Sequence, residues 1–326
     1  MQTQSPGRRS DTISMRAAAK LNLSLAVLAR RDDGFHEIES LMVPVTLHDT
    51  LHVRATDIAG VRLTVRFAGR LATATGSPVA RDVPTDATNL VVRAAQALAA
   101  AAGLGLGDGE DSGRPRAAGL DIELVKRIPS GSGLGGGSSD AAAVLLAAAQ
   151  AWGIDWPRER LGAIGAGIGS DVPVFFAAGA AIAGGRGERI ERVAGIPPLW
   201  AVIARPVAGL STAAVYARCR PDPSRRGEAA GLAAMLAAGR FRGALPMMHN
   251  ALEAAARELC PEVDRLLGDF VRAGAAHPLL TGSGSACFAV MRSAAEARLV
   301  AARLAATGWP WVVAVRLWPG GQAAGG

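Results

Sequence analysis

Between residues 17 and 29, Leu21, Leu23, Leu25 and Val27 alternate with Asn22, Ser24 and Ala26. This is the two-residue period of a strand that turns one apolar face inward. Arg31-Asp32-Asp33-Gly34 reads as a turn, and period two returns in residues 51–54 and most clearly in 61–67. An Ala/Leu/Val-rich segment after Thr88-Asn89 predicts a helix over 89–102. Residues 120–127 predict a strand, and 138–152 and 158–168 predict helices. Residues 172–182 form an apolar stretch whose period does not separate helix from strand. Beyond Pro197-Pro198 the pattern predicts strands at 199–204, 288–290 and 312–317. It also predicts helices at 247–257, 262–273 and 293–306, with a loop at 221–227. Strands interleaved with helices in this way predict an α+β fold with antiparallel sheet.

The chain has 326 residues, 50% of them hydrophobic, enough for two domains. Pro197-Pro198 marks the expected seam. The organisation read from it is a flexible arm over 1–15, an N-terminal domain over 16–196, a C-terminal domain over 197–320 and a short flexible tail over 321–326. The glycine-rich stretch 103–119 reads as a long surface loop. Forty glycines without a Gly-X-Y period exclude a collagen-like chain. The apolar runs 141–149 and 172–185 are too short to span a bilayer, so no membrane partner is expected. No secretory signal is read in the first 19 residues, and Cys219, Cys260 and Cys287 form no disulfide framework. The expected location is therefore the cytoplasm. The net charge of +7 comes almost wholly from scattered arginines, because Lys20 and Lys126 are the only lysines. That surface attracts anions generally and does not by itself call for a nucleic acid.

Four motifs carry candidate chemistry. Pro129-Ser130-Gly131-Ser132-Gly133-Leu134-Gly135-Gly136-Gly137-Ser138-Ser139-Asp140 lies between a predicted strand and a predicted helix. Five glycines among residues 131–137 let backbone N–H groups converge where a Cβ would block them, beside the unpaired amides of a helix start. Phosphate is the ligand that suits this arrangement. Ser138 and Ser139 either cap the helix or meet a phosphate or its magnesium. The loop has no lysine, so it is not a Walker loop. Gly131-x-Gly133-x-x-Gly136 fits a dinucleotide expression but lacks the preceding βαβ context.

Ala19-Lys20-Leu21-Asn22-Leu23, followed by Gly34-Phe35-His36-Glu37, is the second motif. A compact ammonium heading an apolar strand suits a transferring phosphoryl group or a reacting hydroxyl, and Phe35 and His36 suit stacking on and hydrogen bonding to a base. The third is Gly169-Ser170-Asp171-Val172-Pro173-Val174-Phe175, a carboxylate held at the shoulder of an apolar run. The fourth, Thr281-Gly282-Ser283-Gly284-Ser285, is a small-residue turn able to close the far side of a phosphate cleft.

Together these motifs resemble the GHMP small-molecule kinase superfamily, and the resemblance covers about residues 16–318. The second and third motifs are similar to one branch of it, which acts on a cytidine-diphosphate-linked substrate in isoprenoid-precursor synthesis. The resemblance implies a ribosomal-protein-S5-like N-terminal domain, a ferredoxin-like C-terminal domain and an active site between them. It also implies ATP-dependent phosphorylation of the 2-hydroxyl of a methylerythritol moiety, with Mg²⁺ and with ADP as product.

By the same resemblance Asp171 is the catalytic aspartate and Lys20 its lysine partner. Asn22 and His36 contact substrate, Phe35 stacks on cytosine, Lys126 lies beside adenine, and residues 130–139 hold the ATP phosphates. Ala251 stands where relatives commonly carry an acid, so no catalytic role is expected for residues 250–253. Two other readings are another GHMP kinase, acting on a sugar, homoserine or a mevalonate-like alcohol, and a non-catalytic anion- or RNA-binding module.

Overall fold

The structure is a computed structural model and describes residues 11–73, 83–106 and 119–318. Residues 1–10 of the expected arm, 107–118 of the glycine-rich stretch and the tail lie outside the described residues. Residues 13–15, placed in the expected arm, belong to the first strand, which begins at Ile13.

Seven strands make the larger sheet. β1 (Ile13–Arg30) and β2 (His36–Thr56) are long antiparallel partners joined through the Arg31–Gly34 turn. The free edge of β2 is shared. Its second half pairs with β4 (Gly119–Lys126), which in turn pairs in parallel with β3 (Gly60–Phe67). Its first half pairs with β5 (Ala181–Gly185), which pairs with β6 (Arg189–Arg192). On the other edge, β8 (His249–Asn250) pairs in parallel with β1. The smaller sheet has the order β11 (Trp311–Arg316), β7 (Trp200–Arg205), β10 (Cys287–Met291), β9 (Leu279–Leu280), all antiparallel.

Pro197-Pro198 lies between β6 and β7, but the chain crosses that seam repeatedly. β8 belongs to the larger sheet, and Leu317 and Trp318 return to β2 through a bridge with Val45 and a bond to the Pro44 carbonyl. One apolar cluster accordingly joins Leu21, Leu23 and Val43 to Ile203, Phe288 and Val315.

Three sequence expectations change. The period-two piece at 51–54 is the end of one long strand, His36–Thr56, because bulges in the β1–β2 ladder absorb the local breaks in period before it. The unresolved apolar stretch is a 3₁₀ turn, Pro173–Ala177, followed by β5. Within 247–257, β8 precedes a helix that starts only at Glu253. The helices Thr212–Arg218 and Glu228–Ala237 carry no sequence prediction. The Gly136–Trp152 helix packs across β1 and β2 with its N-terminus directed at the site described next.

Candidate active site

The β1–β2 ladder shifts register between Ala18 and Lys20 and again between Asn22 and Ser24. Bulges re-aim side chains, and these two flank the pair Lys20 and Asn22. Period two predicts a polar outer face here, yet Lys20, Asn22 and Ser24 are all buried. They stay polar because they have partners. Lys20 Nζ donates to Asn22 Oδ1 at 2.6 Å and to the Gly133 carbonyl at 2.9 Å, and stands 3.5 Å from Asp171 Oδ2. Asn22 Nδ2 donates to Ser40 Oγ, which donates to the Ser24 carbonyl. Thr281 Oγ1 accepts from the Asn22 amide and donates to Asn22 Oδ1. Two of the three ammonium donors are thereby fixed, and the third is left toward Asp171, whose side chain is one-third exposed to the cleft.

The loop after β4 adopts left-handed backbone at Gly131, Gly133 and Gly135, alternating with residues of ordinary conformation. Such alternation turns successive amides to one side, the geometry of an anion-binding nest. Gly135 is the N-cap of the Gly136–Trp152 helix and no side chain caps it, so Ser138 and Ser139 are not the capping residues. Gly131, Gly133, Gly135 and Ser138 line the cleft; Ser139 is buried and lines a separate cavity of about 290 Å³ behind Lys20 and Phe175. Leu134 and Ser132 are buried, and their carbonyls accept from the Lys20 and Ala286 amides.

The second small-residue turn supports the first. A Cβ on Gly133 would lie 2.0 Å from the Thr281 carbonyl oxygen, so the two loops touch through bare backbone. Asn250 Nδ2 holds the second turn by donating to the Leu280 and Gly282 carbonyls, and Glu253 Oε2 accepts from the Leu280 amide. This gives residues 250–253 a supporting task. Arg205, at the end of β7, is buried and donates to the Ser130 carbonyl at 2.9 Å, and burial pulls its pKa down to about 10. A buried arginine with carbonyl partners leaves no motif in sequence.

The cleft these elements enclose has a volume of about 860 Å³. Lys20, Asn22, Phe35, His36 and Asp171 all line it, together with Gly282, Ser283 and Gly284. Phe35 is half exposed at the rim, with the Arg186 guanidinium 4.8 Å from its ring centroid. The His36 ring centroid is 5.1 Å from that of Tyr216, and burial followed by Arg30 lowers the His36 pKa, which favours the neutral imidazole. Burial, then Asp171 and Cys219, push the Tyr216 phenol well above its ordinary value. The sequence reading missed Tyr216, Thr212, Arg30 and Arg186, which the fold alone brings to the cleft.

Lys126 lies elsewhere. It is buried beneath the helix start, bonded to Asp49 and Asp140, and is absent from the described lining of the cleft.

The fold and its glycine cradle are those of a GHMP kinase. The family model described as "GHMP kinases N terminal domain" matches residues 89–179, and "GHMP kinases C terminal" matches 231–308. The 4-diphosphocytidyl-2-C-methyl-D-erythritol kinase of Rhodopirellula baltica is 42% identical over 312 residues, covering 89% of this chain and 90% of the relative. The enzyme of the same description from Pelotomaculum thermopropionicum is 37% identical over 292 residues, covering 89% and 93%. A crystal structure described as 4-(cytidine 5'-diphospho)-2C-methyl-D-erythritol kinase superposes with a TM-score of 0.71 at 34% identity, covering 94% of this chain and all of the other. The chain belongs to the 4-diphosphocytidyl-2-C-methyl-D-erythritol kinase family of the GHMP kinases, which are ATP-dependent small-molecule kinases. Among the described residues no helix is long and apolar enough to cross a membrane.

Proposed function

We propose that this chain transfers the γ-phosphoryl group of ATP to the 2-hydroxyl of 4-diphosphocytidyl-2-C-methyl-D-erythritol, with Asp171 as general base and Lys20 as the electrostatic partner of the transfer. The observation that carries the reading is one ammonium shared between the phosphate loop, through Gly133, and the cleft carboxylate Asp171.

The hydroxyl oxygen forms a bond to the γ-phosphorus, the bond from that phosphorus to the β–γ bridging oxygen breaks, and the hydroxyl proton passes to Asp171. Holding the acceptor in line with the phosphorus supplies much of the acceleration. The amides of residues 131–136 face the charge that builds on the phosphoryl oxygens, and Lys20 adds a fixed positive charge beside both reactants. No covalent enzyme intermediate is needed.

Cytosine would stack on Phe35 at the rim, with His36 and Asn22 contacting the substrate. Asp171 is the only carboxylate among the described residues that line the cleft, and among the described residues no cluster of three His, Cys, Asp or Glu side chains could hold an ion. Asp171 is the lining residue that would help hold a Mg²⁺ brought with the nucleotide, and such an ion would neutralise charge on the β- and γ-phosphates.

ADP release coupled to a spectrophotometric readout, with ATP, Mg²⁺ and either 4-diphosphocytidyl-2-C-methyl-D-erythritol, homoserine or mevalonate as acceptor, tests the reading. ADP formation with the cytidine substrate alone is expected. Equal turnover of an acceptor without cytidine would overturn it.

A further inference from the structure

The phosphate loop leaves regular structure after Lys126 and rejoins it in the first turns of the Gly136–Trp152 helix. Its two ends meet at one buried ion cluster. Lys126 Nζ donates to Asp140 Oδ2 at 2.7 Å and to Asp49 Oδ2, and Asp49 Oδ1 accepts from the Arg127 amide and, at 2.8 Å, from the Ile128 amide. One lysine therefore ties the loop's outgoing end to its returning end, while a carboxylate from β2 fixes the first two residues of the loop.

All three side chains are at most 4% exposed, and none is among the described residues lining the cleft. The fit is close, since a Cβ on Gly136 would lie 2.9 Å from Ile128 Cγ2 and 3.3 Å from Lys126 Nζ. Buried ion clusters of this kind are weak sources of stability compared with apolar packing, and their best attested use is to fix register. The cluster holds two carboxylates for one ammonium, and Asp140 Oδ1 has no hydrogen-bond partner among the described residues.

We infer that Asp49, Lys126 and Asp140 form a clasp that positions the phosphate loop from beneath, and that the surplus carboxylate of Asp140 sets how strongly the loop holds nucleotide phosphates. The inference rests on the nucleotide reading of residues 129–140. Asp140 lies one turn into the helix whose N-terminus faces the cleft, so a net negative cluster there opposes a bound polyanion and a neutral one does not. Lys126 from β4 and Asp49 from β2 are the charged groups that act on it; burial, opposed by Lys126 and reinforced by Asp49, pushes Asp140 up to about 7. Nucleotide binding and protonation of Asp140 then favour each other.

Calorimetric titration of Mg·ADP into the full chain at pH 6, 7 and 8, with wild type beside Asp140→Asn, tests this. Titration of the ADP phosphate is common to both proteins and cancels in the ratio of their affinities. The asparagine keeps the size and the acceptor for Lys126 but carries no charge. Its affinity relative to wild type is expected to rise at least threefold between pH 6 and 8.

Asp140→Leu and Lys126→Met, checked for folding by circular dichroism, remove the tie itself. In both, KM for ATP is expected to rise at least tenfold while kcat changes less than threefold, and Asp140→Asn is expected to restore KM. Parallel pH curves for wild type and Asp140→Asn, or wild-type KM in either tie-breaking variant, would overturn the clasp. A folded wild type that binds no ADP at any pH would instead overturn the nucleotide reading of the loop, and the clasp with it.

Discussion

Lys20 Nζ and the Gly133 carbonyl oxygen are 2.9 Å apart although 113 residues separate them in the chain. The ammonium beside the cleft carboxylate Asp171 is thus also a structural tie to the glycine loop, and under the proposed mechanism its removal has two consequences. Lys20→Met is expected to lower kcat by about 10²-fold or more, roughly 3 kcal/mol of transition-state stabilisation, and to raise KM for ATP as Gly133 loses its donor. Steady-state kinetics with varied ATP check both; a fall in kcat at unchanged KM would show that the tie does not hold the loop.

Asp171→Asn separates the two roles. The amide cannot take the hydroxyl proton, and the ammonium still reaches Gly133 and Asn22. Turnover is expected to fall by about 10²- to 10⁴-fold, with KM for ATP within about threefold of wild type. Wild-type turnover in this variant would remove Asp171 from the base role.

The glycines of the loop are not equivalent. Gly131 and Gly133 both have left-handed backbone, but a Cβ meets nothing within 4 Å at Gly131 and lies 2.0 Å from the Thr281 carbonyl oxygen at Gly133. Gly131→Ala should cost only the backbone strain, about 1 kcal/mol, whereas Gly133→Ala must push the two loops apart. ADP titration is expected to show at least tenfold weaker binding for Gly133→Ala and less than fivefold for Gly131→Ala. The reverse order would mean that the loops do not touch in solution as they do here.

Phe35 stands at the rim, half exposed, with Arg186 above its ring. Exposure of a large aromatic ring at a cleft mouth fits a stacking surface better than a core position. Phe35→Leu is expected to raise KM for the cytidine substrate about tenfold and to leave KM for ATP and the melting temperature nearly unchanged. An unaltered substrate KM would reject stacking on this ring.

The parts of the site that were legible in sequence are those where chemistry conflicts with local pattern. Lysine in an apolar strand, clustered glycines and a carboxylate before an apolar run each violate the simple rule for their element, and each lines the cleft. Lys126 obeyed a motif and still lies beneath the loop, because its partners Asp49 and Asp140 come from residues 77 and 14 positions away. Arg205 and Tyr216 left no signal, since nothing in a strand end or a short helix distinguishes a residue that the fold carries to a site. The strand hidden in 247–257 has only two residues and depends on β1 for its pairing, which no local period reports.

Asp140 also makes stability depend on pH, with a definite sign. Its carboxyl is raised from an ordinary 3.8 to about 7 in the folded chain, so between those values the native state binds more proton than the unfolded state. Stability from this group is therefore complete below the unfolded value and is lost as pH rises through about 7. Lys126 is raised too, mainly by Asp140 and Asp49 against the cost of burial, and holds its proton across that whole window. The exposed carboxylates Asp33, Asp86 and Asp222 are lowered and work in the opposite direction, but they are present in any single-site variant. Asp140→Asn removes only the first contribution. Its melting temperature relative to wild type is expected to climb steadily from pH 4.5 to 7.5, measured by calorimetry in buffers of equal ionic strength. A difference that stays constant over that range would mean that Asp140 is ionised in the folded chain throughout, with burial and Asp49 together too weak against Lys126 to leave it a proton.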